Sequence, residues 1–443
     1  MKILKRILLL LLVLVAIGAY INYPKLNIIS GYASKNMAST VYIADRSIAS
    51  ITENDNDMPL IKLADVTMHK ESASAEVFGL MERKTICRDG LGCVLVNDDY
   101  DKNKTNLKPK RTRLNNDLPF PYGNNGKKDT IFKNVDYHRL EKALDNAFAN
   151  SEIQKTRTVL VAYKNQIIGE RYLDGFSTDT PILGWSMTKS VLGTMFGILE
   201  FRGDIDVQTH KPLASNQNKD SRSEITLNHF LRMQSGLEWE EEYASVSDAT
   251  KMLFLDADMT LAQANKEVIA APTVVWNYSS GTSNFLSGVL RKQFNTHQEY
   301  LDFPYTALID KIGMHSMIIE TDMEGNFVGS SYGWANTRDW AKFGILHLNK
   351  GNWNGEQLFA PEWVDYISKP TDKSNGKYGA HWWLNAEGKY SDVPRDLYSA
   401  NGYQGQYVFV IPSKDLVVVR TGLAESPDFD VNGFLKGILE AIK

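Results

Sequence analysis

Hydrophobic positions fall into a few regular patterns along the chain. Ile7 to Ile17 is an unbroken apolar run, preceded by Lys2, Lys5 and Arg6 and followed by Gly18, Ala19 and Pro24. A positive start, an apolar stretch and then small residues form the layout of a secretory signal. The apolar stretch ends near Ile21, short of the ~20 residues that span a bilayer comfortably. A cleaved signal and a retained anchor over residues 7 to 21 both stay open, with residues 1 to 22 as the segment concerned. No cysteine follows the run closely, which argues against a lipid-anchored form. The expected location is extracytoplasmic, periplasmic or secreted, with anchoring to the inner membrane as the variant.

Residues 23 to 128 form a second stretch. It carries short strand-like runs, Thr40 to Ala44 and Gly92 to Val96, separated by polar segments, and it closes on Leu118-Pro-Phe-Pro-Tyr-Gly123. A small β-rich accessory region without chemistry of its own is expected. From Asp129 the periodicity changes. Tyr137 to Ser151 reads as an amphipathic helix with Leu140, Ala143, Leu144, Ala147 and Phe148 on one stripe. Strands are expected over Thr156 to Tyr163 and Ile167 to Tyr172, joined at Lys164-Asn165. An apolar helix follows from Ser186 to Arg202, stopped by Gly203, and a short one from Ile225 to Gln234. Residues 190 to about 325 read as mainly helical. Gln406 to Ile411 and Leu416 to Arg420 read as a hairpin around Pro412-Ser-Lys-Asp, before a last helix from Asn432 to Ile442. These patterns predict an α+β fold for residues 129 to 443: one antiparallel sheet, a terminal helix and a separate helical lobe.

Composition narrows the class. The 443 residues are 43% hydrophobic and 23% charged, as in an ordinary globular protein. With a formal net charge of −4 and no long basic stripe, nucleic acid is a poor candidate partner. The longest basic stretch, Lys102 to Arg113, lacks apolar periodicity and reads as a solvated linker. The two cysteines, Cys87 and Cys93, flank Arg-Asp-Gly-Leu-Gly, whose turn residues would let the ends meet. Outside the cytoplasm a disulfide between them is permitted, unpaired thiols being the alternative. Two cysteines without a nearby histidine offer too few ligands for a metal site. The eight histidines are scattered, and no His-Glu-x-x-His pattern occurs. No metal and no cofactor is expected.

Three short segments carry candidate chemistry. In Gly184-Trp-Ser-Met-Thr-Lys-Ser190, Ser186 stands at the first turn of an apolar helix and Lys189 three residues on, so the two side chains share a face. Burial disfavours a charged amine, and a neutral lysine can take a serine's proton. The helix N-terminus also favours a developing alkoxide. In Trp276-Asn-Tyr-Ser-Ser-Gly-Thr282, Tyr278 and Ser280 bring a phenol and a hydroxyl to one loop, where a Tyr can relay a proton. In Asn401-Gly-Tyr-Gln-Gly-Gln406, Gly405 permits close backbone approach, and the Gln406 N–H together with that of Ser186 would form an oxyanion hole. His381, beside Trp382, reads as a structural histidine rather than a pocket residue.

The order and separation of these segments resemble the serine β-lactamases and penicillin-binding proteins, which carry S-x-x-K, then Y-x-N or S-x-N, then K-T-G or a relative. Within that family the chain is most similar to the class C-like branch and its 6-aminohexanoate-dimer hydrolase type, which shows Y-x-S as Tyr278-Ser279-Ser280 does. Ile225-Thr-Leu-Asn-His-Phe-Leu231, Ser235-Gly-Leu237, the segment Gly344 to Gln357, Trp382-Trp383 and Gly402 to Gln406 resemble the same branch. The resemblance covers residues 129 to 443. It implies a β-lactamase-type fold with Ser186 as nucleophile, Lys189 as base and Tyr278 as proton relay. Ser280 matches a position that is Asn in many relatives, and Tyr403, Gln404 and Gly405 match the K-T-G triplet. Tyr243 matches a tyrosine that touches an amide substrate.

The implied reaction is acylation of serine followed by hydrolysis, on a β-lactam, a peptide-like amide or an ester. Tyr403 stands where a cation would bind a substrate carboxylate, and Ser280 replaces an amide side chain. Both departures favour a small amide or ester over a β-lactam. The reading is thus an exported serine hydrolase acting on a small-molecule amide or ester, reaching a membrane only through its first residues. The alternative is a non-catalytic or penicillin-binding-type protein of the same fold that holds a cell-wall ligand.

Overall fold

The computed structural model describes residues 2–101, 107–113, 117–123, 126–214 and 220–443. The chain divides into two compact units, one formed by Met1–Lys104 with Glu240–Asp258 and Asp322–Glu324, the other by Thr105–Trp239, Met259–Thr321 and Gly325–Lys443.

The first unit is built on a helix from Lys2 to Ala44 and a four-stranded antiparallel meander over Ala64–His69, Ser72–Val77, Leu80–Arg88 and Gly92–Val96. The second half of the helix packs on the sheet. Ala33, Met37 and Ala38 are buried there, and the Ser34 hydroxyl donates to the Ala73 carbonyl (3.1 Å) and meets Thr85 Oγ1 (2.8 Å). Thr40 to Ala44, expected as a strand, is the last turn of this helix. Its β-branched residues favour strands locally, but burial of the helix's inner stripe outweighs propensities worth tenths of a kcal/mol per residue. Gly92 to Val96 is a strand as expected. Cys87 and Cys93 stand opposite each other in the ladder, and their sulfurs are bonded. Among the described residues no helix is long and apolar enough to cross a membrane.

The second unit holds a six-stranded antiparallel sheet. Its order is Trp383–Leu384, Tyr398–Gly402, Gln406–Ile411, Leu416–Gly422, Thr156–Tyr163 and Gln166–Tyr172. Every residue of the third, fourth and fifth of these strands is buried. Hence they read as continuous apolar runs rather than alternating ones: both faces are covered. On one face Val159, Val161, Phe409, Ile411, Leu416 and Val418 pack with helices Tyr137–Phe148 and Val431–Glu440, through Leu140, Leu144, Phe434, Leu435 and Ile438. On the other, Val408 and Val417 press on Gly344 of helix Thr337–Leu348. The hairpin turns through Pro412–Lys414, with Ile411 opposite Leu416 as expected.

Elsewhere the expected helices hold with adjusted ends. Ile225 to Gln234 contributes only Leu227–Leu231. The segment read as mainly helical also contains Ile318–Ile319, a strand of a small sheet with Ile182–Leu183 and Gly333–Ala335. The basic stretch read as a solvated linker is corrected where it is described. Residues 102–106 lie outside the described residues, but Arg111 pairs with the buried Asp310 at 2.8 Å and lies over the Tyr305 ring. Its Nη1 donates to the Met317 carbonyl (3.0 Å), so the stretch is moored to this unit.

Candidate active site

The short strand Ile182–Leu183 delivers the chain to a corner. Gly184 N donates to the Gly333 carbonyl (2.8 Å), and Trp185 takes a left-handed conformation with φ 47°. Helix Met187–Arg202 then begins. A side chain at Gly184 would strike the buried Trp340 ring, so only glycine fits the corner. Ser186 is the helix N-cap, but its φ −64° and ψ −6° are helical rather than extended. Its hydroxyl makes no capping bond and is left for another partner.

That partner is Lys189, one helical turn on. Lys189 is 1% exposed. Its Nζ lies 3.0 Å from Ser186 Oγ, 3.0 Å from Ser280 Oγ and 2.9 Å from the Ser330 carbonyl. Ser280 opens helix Ser280–Arg291, capped by the Ser279 hydroxyl, which accepts from Thr282 N (2.9 Å). The same helix fixes Ser330, whose N–H donates to Asn284 Oδ1 (3.0 Å). Tyr278 precedes this helix. Its ring centroid is 4.9 Å from Lys189 Nζ, and it packs on Trp383 (5.2 Å) and Tyr378 (5.8 Å). Ser186, Lys189, Tyr278 and Ser280 are therefore brought together.

The third segment sits at the turn between strands Tyr398–Gly402 and Gln406–Ile411. A side chain on Gly402 would strike the Gly184 carbonyl, which places this turn against the corner before Ser186. Tyr403 meets Trp185 edge-on at 5.7 Å. Gln404 and Gly405 both have positive φ, 61° and 79°, and Gln404 N donates to Glu425 Oε1 (2.6 Å). The Gln406 side chain is turned inward, its Nε2 donating to the carbonyls of Gly422 (2.6 Å) and Tyr403 (3.1 Å). Tyr243 lies in the first unit, half-buried, with its hydroxyl donating to Glu241 Oε1 (2.7 Å).

His381 is 2% exposed and both ring nitrogens are engaged, Nε2 with Ser283 Oγ (2.9 Å) and Nδ1 with the Leu231 carbonyl (2.8 Å). Burial pushes its pKa down to about 4 against the Leu231 hydrogen bond. It is a core histidine that braces helix Met187–Arg202, its carbonyl accepting from Ser190 Oγ (2.6 Å). Among the described residues no cluster of metal-ligating side chains occurs.

Two contributors carried no sequence signal. Ser330 acts through a backbone carbonyl, which any residue could supply. Arg420, fully buried, donates to the carbonyls of Gly405 (2.8 Å) and Ala424 (2.9 Å) and to Thr156 Oγ1 (3.2 Å). It fixes the third segment from behind, yet in the sequence it is one arginine at the end of a Val-rich strand.

Comparison with known proteins places this geometry. The family model described as Beta-lactamase matches residues 150–431, well over half of the chain. The chain belongs to the β-lactamase family. Among curated β-lactamase-family relatives, the 6-aminohexanoate-dimer hydrolase of Paenarthrobacter ureafaciens is 24% identical over 339 residues, 68% of this chain and 78% of that protein. Among solved structures, a family VIII carboxylesterase superposes with a TM-score of 0.52 at 14% identity, covering 69% of this chain and 96% of that one. A D-stereospecific amidohydrolase from Streptomyces sp. gives 0.51 at 14%, covering 69% and 98%. The fold is thus the β-lactamase/transpeptidase type expected from the three segments, and the protein is a hydrolase of that family.

Proposed function

We propose that the protein is an exported serine hydrolase that cleaves small amides or esters through an acyl-enzyme. One observation carries the reading: Lys189 Nζ lies 3.0 Å from Ser186 Oγ in a water-poor site. A neutral amine there accepts the Ser186 proton as Oγ attacks the substrate carbonyl. The tetrahedral oxyanion is held by backbone N–H groups, with those of Ser186 and Gln406 as the candidates. Collapse breaks the bond to the amine or alcohol, which leaves with a proton returned from Lys189 through Tyr278. Water then adds to the Ser186 ester, and the acid departs as Oγ regains its proton. Ser280 Oγ, also 3.0 Å from Nζ, keeps the lysine in place through both halves.

The departures in the second and third segments, Ser280 and Tyr403, support amides and esters over β-lactams. The names of the relatives, an amide-dimer hydrolase, a carboxylesterase and an amidohydrolase, point the same way. Export is supported by the positive start and apolar run of residues 1 to 22 and by the Cys87–Cys93 bond, which persists in oxidising compartments.

The test is intact-mass spectrometry of residues 23–443 after a fluorophosphonate probe, with Ser186→Ala as control. A single adduct on the parent protein, lost in the variant, is expected. An adduct that survives Ser186→Ala moves the nucleophile elsewhere. No adduct on either protein, together with no turnover of phenyl esters or anilides, favours the binding-protein reading.

A further inference from the structure

Tyr278 and Ser280 flank the residue that caps helix Ser280–Arg291, and that cap is itself held by a side chain outside the three segments. Gln263 lies in the irregular stretch before Tyr278 and is fully buried. Its Nε2 donates to the Glu238 carbonyl (3.1 Å). A carbonyl only accepts, so this bond fixes the side-chain amide and turns Oε1 towards the helix start. There Oε1 accepts from Ser279 Oγ (2.5 Å) and Thr282 Oγ1 (3.4 Å).

The Ser279 hydroxyl is thereby used in both directions. Its oxygen accepts from Thr282 N (2.9 Å) as the N-cap, and its one proton goes to Gln263. The side chains on either side of Ser279 are the ones that meet the lysine. Ser280 Oγ lies 3.0 Å from Lys189 Nζ, and the Tyr278 ring centroid 4.9 Å from it. The backbone around them is pinned as well. Asn277 N donates to the Met233 carbonyl (2.9 Å) and its Nδ2 to the Trp239 carbonyl (3.0 Å), while a side chain on Gly281 would strike the Trp239 ring. The hydrogen bonds of the Gln263 side chain reach none of Ser186, Lys189, Tyr278 or Ser280.

We propose that Gln263 is a positioning residue of the hydrolase, acting through Ser279 to keep Tyr278 and Ser280 in register with Lys189. This inference rests on the proposed hydrolase reading and adds a residue to its machinery.

The test is steady-state turnover of phenyl butyrate by variants along this link. Gln263→Met keeps the length of the side chain and removes both hydrogen-bonding groups. It is expected to lower kcat by about tenfold, the size of one lost contact at Lys189, with KM within about twofold of the parent's. Ser279→Ala is expected to lose about as much, and the double variant no more than either single one, because both changes break one link. A protonated Gln263→Glu side chain offers the same acceptor and donor, and burial favours its neutral form. Relative to the parent at the same pH, its kcat is expected within about threefold at pH 6 and falling towards that of Gln263→Met by pH 9. An unchanged kcat in folded Gln263→Met would overturn the proposal. So would losses that multiply in the double variant, or a rise in KM that accounts for the whole loss. If Gln263→Met does not fold, Ser279→Ala and Gln263→Glu carry the comparison. Crystal structures of the parent and Gln263→Met separate this inference from the hydrolase reading. Ser280 Oγ displaced beyond hydrogen-bond distance of Lys189 Nζ supports the positioning role even if no substrate is turned over. Ser280 Oγ unmoved beside Nζ sinks it even if Ser186 is confirmed as the nucleophile.

Discussion

Lys189 concentrates the chemistry because three oxygen atoms converge on one buried nitrogen, two of them hydroxyls and one a carbonyl. Each contact has a different source. The Ser186 contact follows from helical spacing, the Ser280 contact from a second helix start, and the Ser330 contact from a loop pinned by Asn284. If Lys189 is the base, Lys189→Ala should lower kcat/KM for phenyl esters by about 10³-fold, within the usual range for a general base. Ser186→Ala should cost about as much, since members of one unit do not add. Lys189→Arg should fail to restore activity, because a guanidinium does not give up its proton near neutrality. Initial rates between pH 6 and 9 check this, and near-normal turnover by Lys189→Ala would move the base elsewhere. A milder loss is expected for Ser280→Ala, about tenfold, because one of three contacts to the nitrogen goes while the nucleophile pair stays.

At the level of elements, the site depends on how closely backbones meet around Ser186. The turn after Tyr398–Gly402 is the tightest case. Gly405 has φ 79°, and a side chain there would strike the Ala424 carbonyl and the Arg420 guanidinium. Gly405→Ala should therefore cost at least about 1–2 kcal/mol from the left-handed backbone alone. It should also lower activity, because the turn that abuts Gly184 must shift. Denaturant unfolding read beside phenyl ester turnover checks both effects, and an unchanged midpoint with full activity would show that the turn is free to adapt. The elements legible in the sequence were those fixed by local rules. The spacing of Ser186 and Lys189 follows from helix geometry, and the strands Thr156–Tyr163 and Gln406–Ile411 announce themselves as apolar runs. What stayed hidden depended on distant partners. Thr40 to Ala44 is helical because a sheet more than twenty residues on buries the helix beside it. Arg111 is moored by Asp310, 199 residues away. The Ser330 carbonyl has no side-chain signature at all.

For the molecule as a whole, the two histidines deepest in the larger unit tie stability to pH. His347 is fully buried, with Nδ1 near the Phe343 carbonyl (2.9 Å) and Nε2 near Thr194 Oγ1 (3.1 Å). Burial pushes its pKa down to about 4, as it does for His381. In the unfolded chain both return to their ordinary value of 6.5. The unfolded state thus binds protons that the folded state refuses, so their stabilising effect is fully present above pH 6.5 and is lost as pH falls towards 4. Together they predict a loss of about 3 kcal/mol between pH 6.5 and about pH 5, a window above the range where most carboxylates titrate. Urea unfolding of residues 23–443 at those two pH values measures it. His347→Gln should be less stable at pH 7, because the packed ring goes, yet should lose roughly half as much between the two pH values. A parent protein whose stability is flat across that window would mean that the two rings take up protons in the folded state, and that the core around Ser190 and Thr194 opens to water more readily than its burial implies.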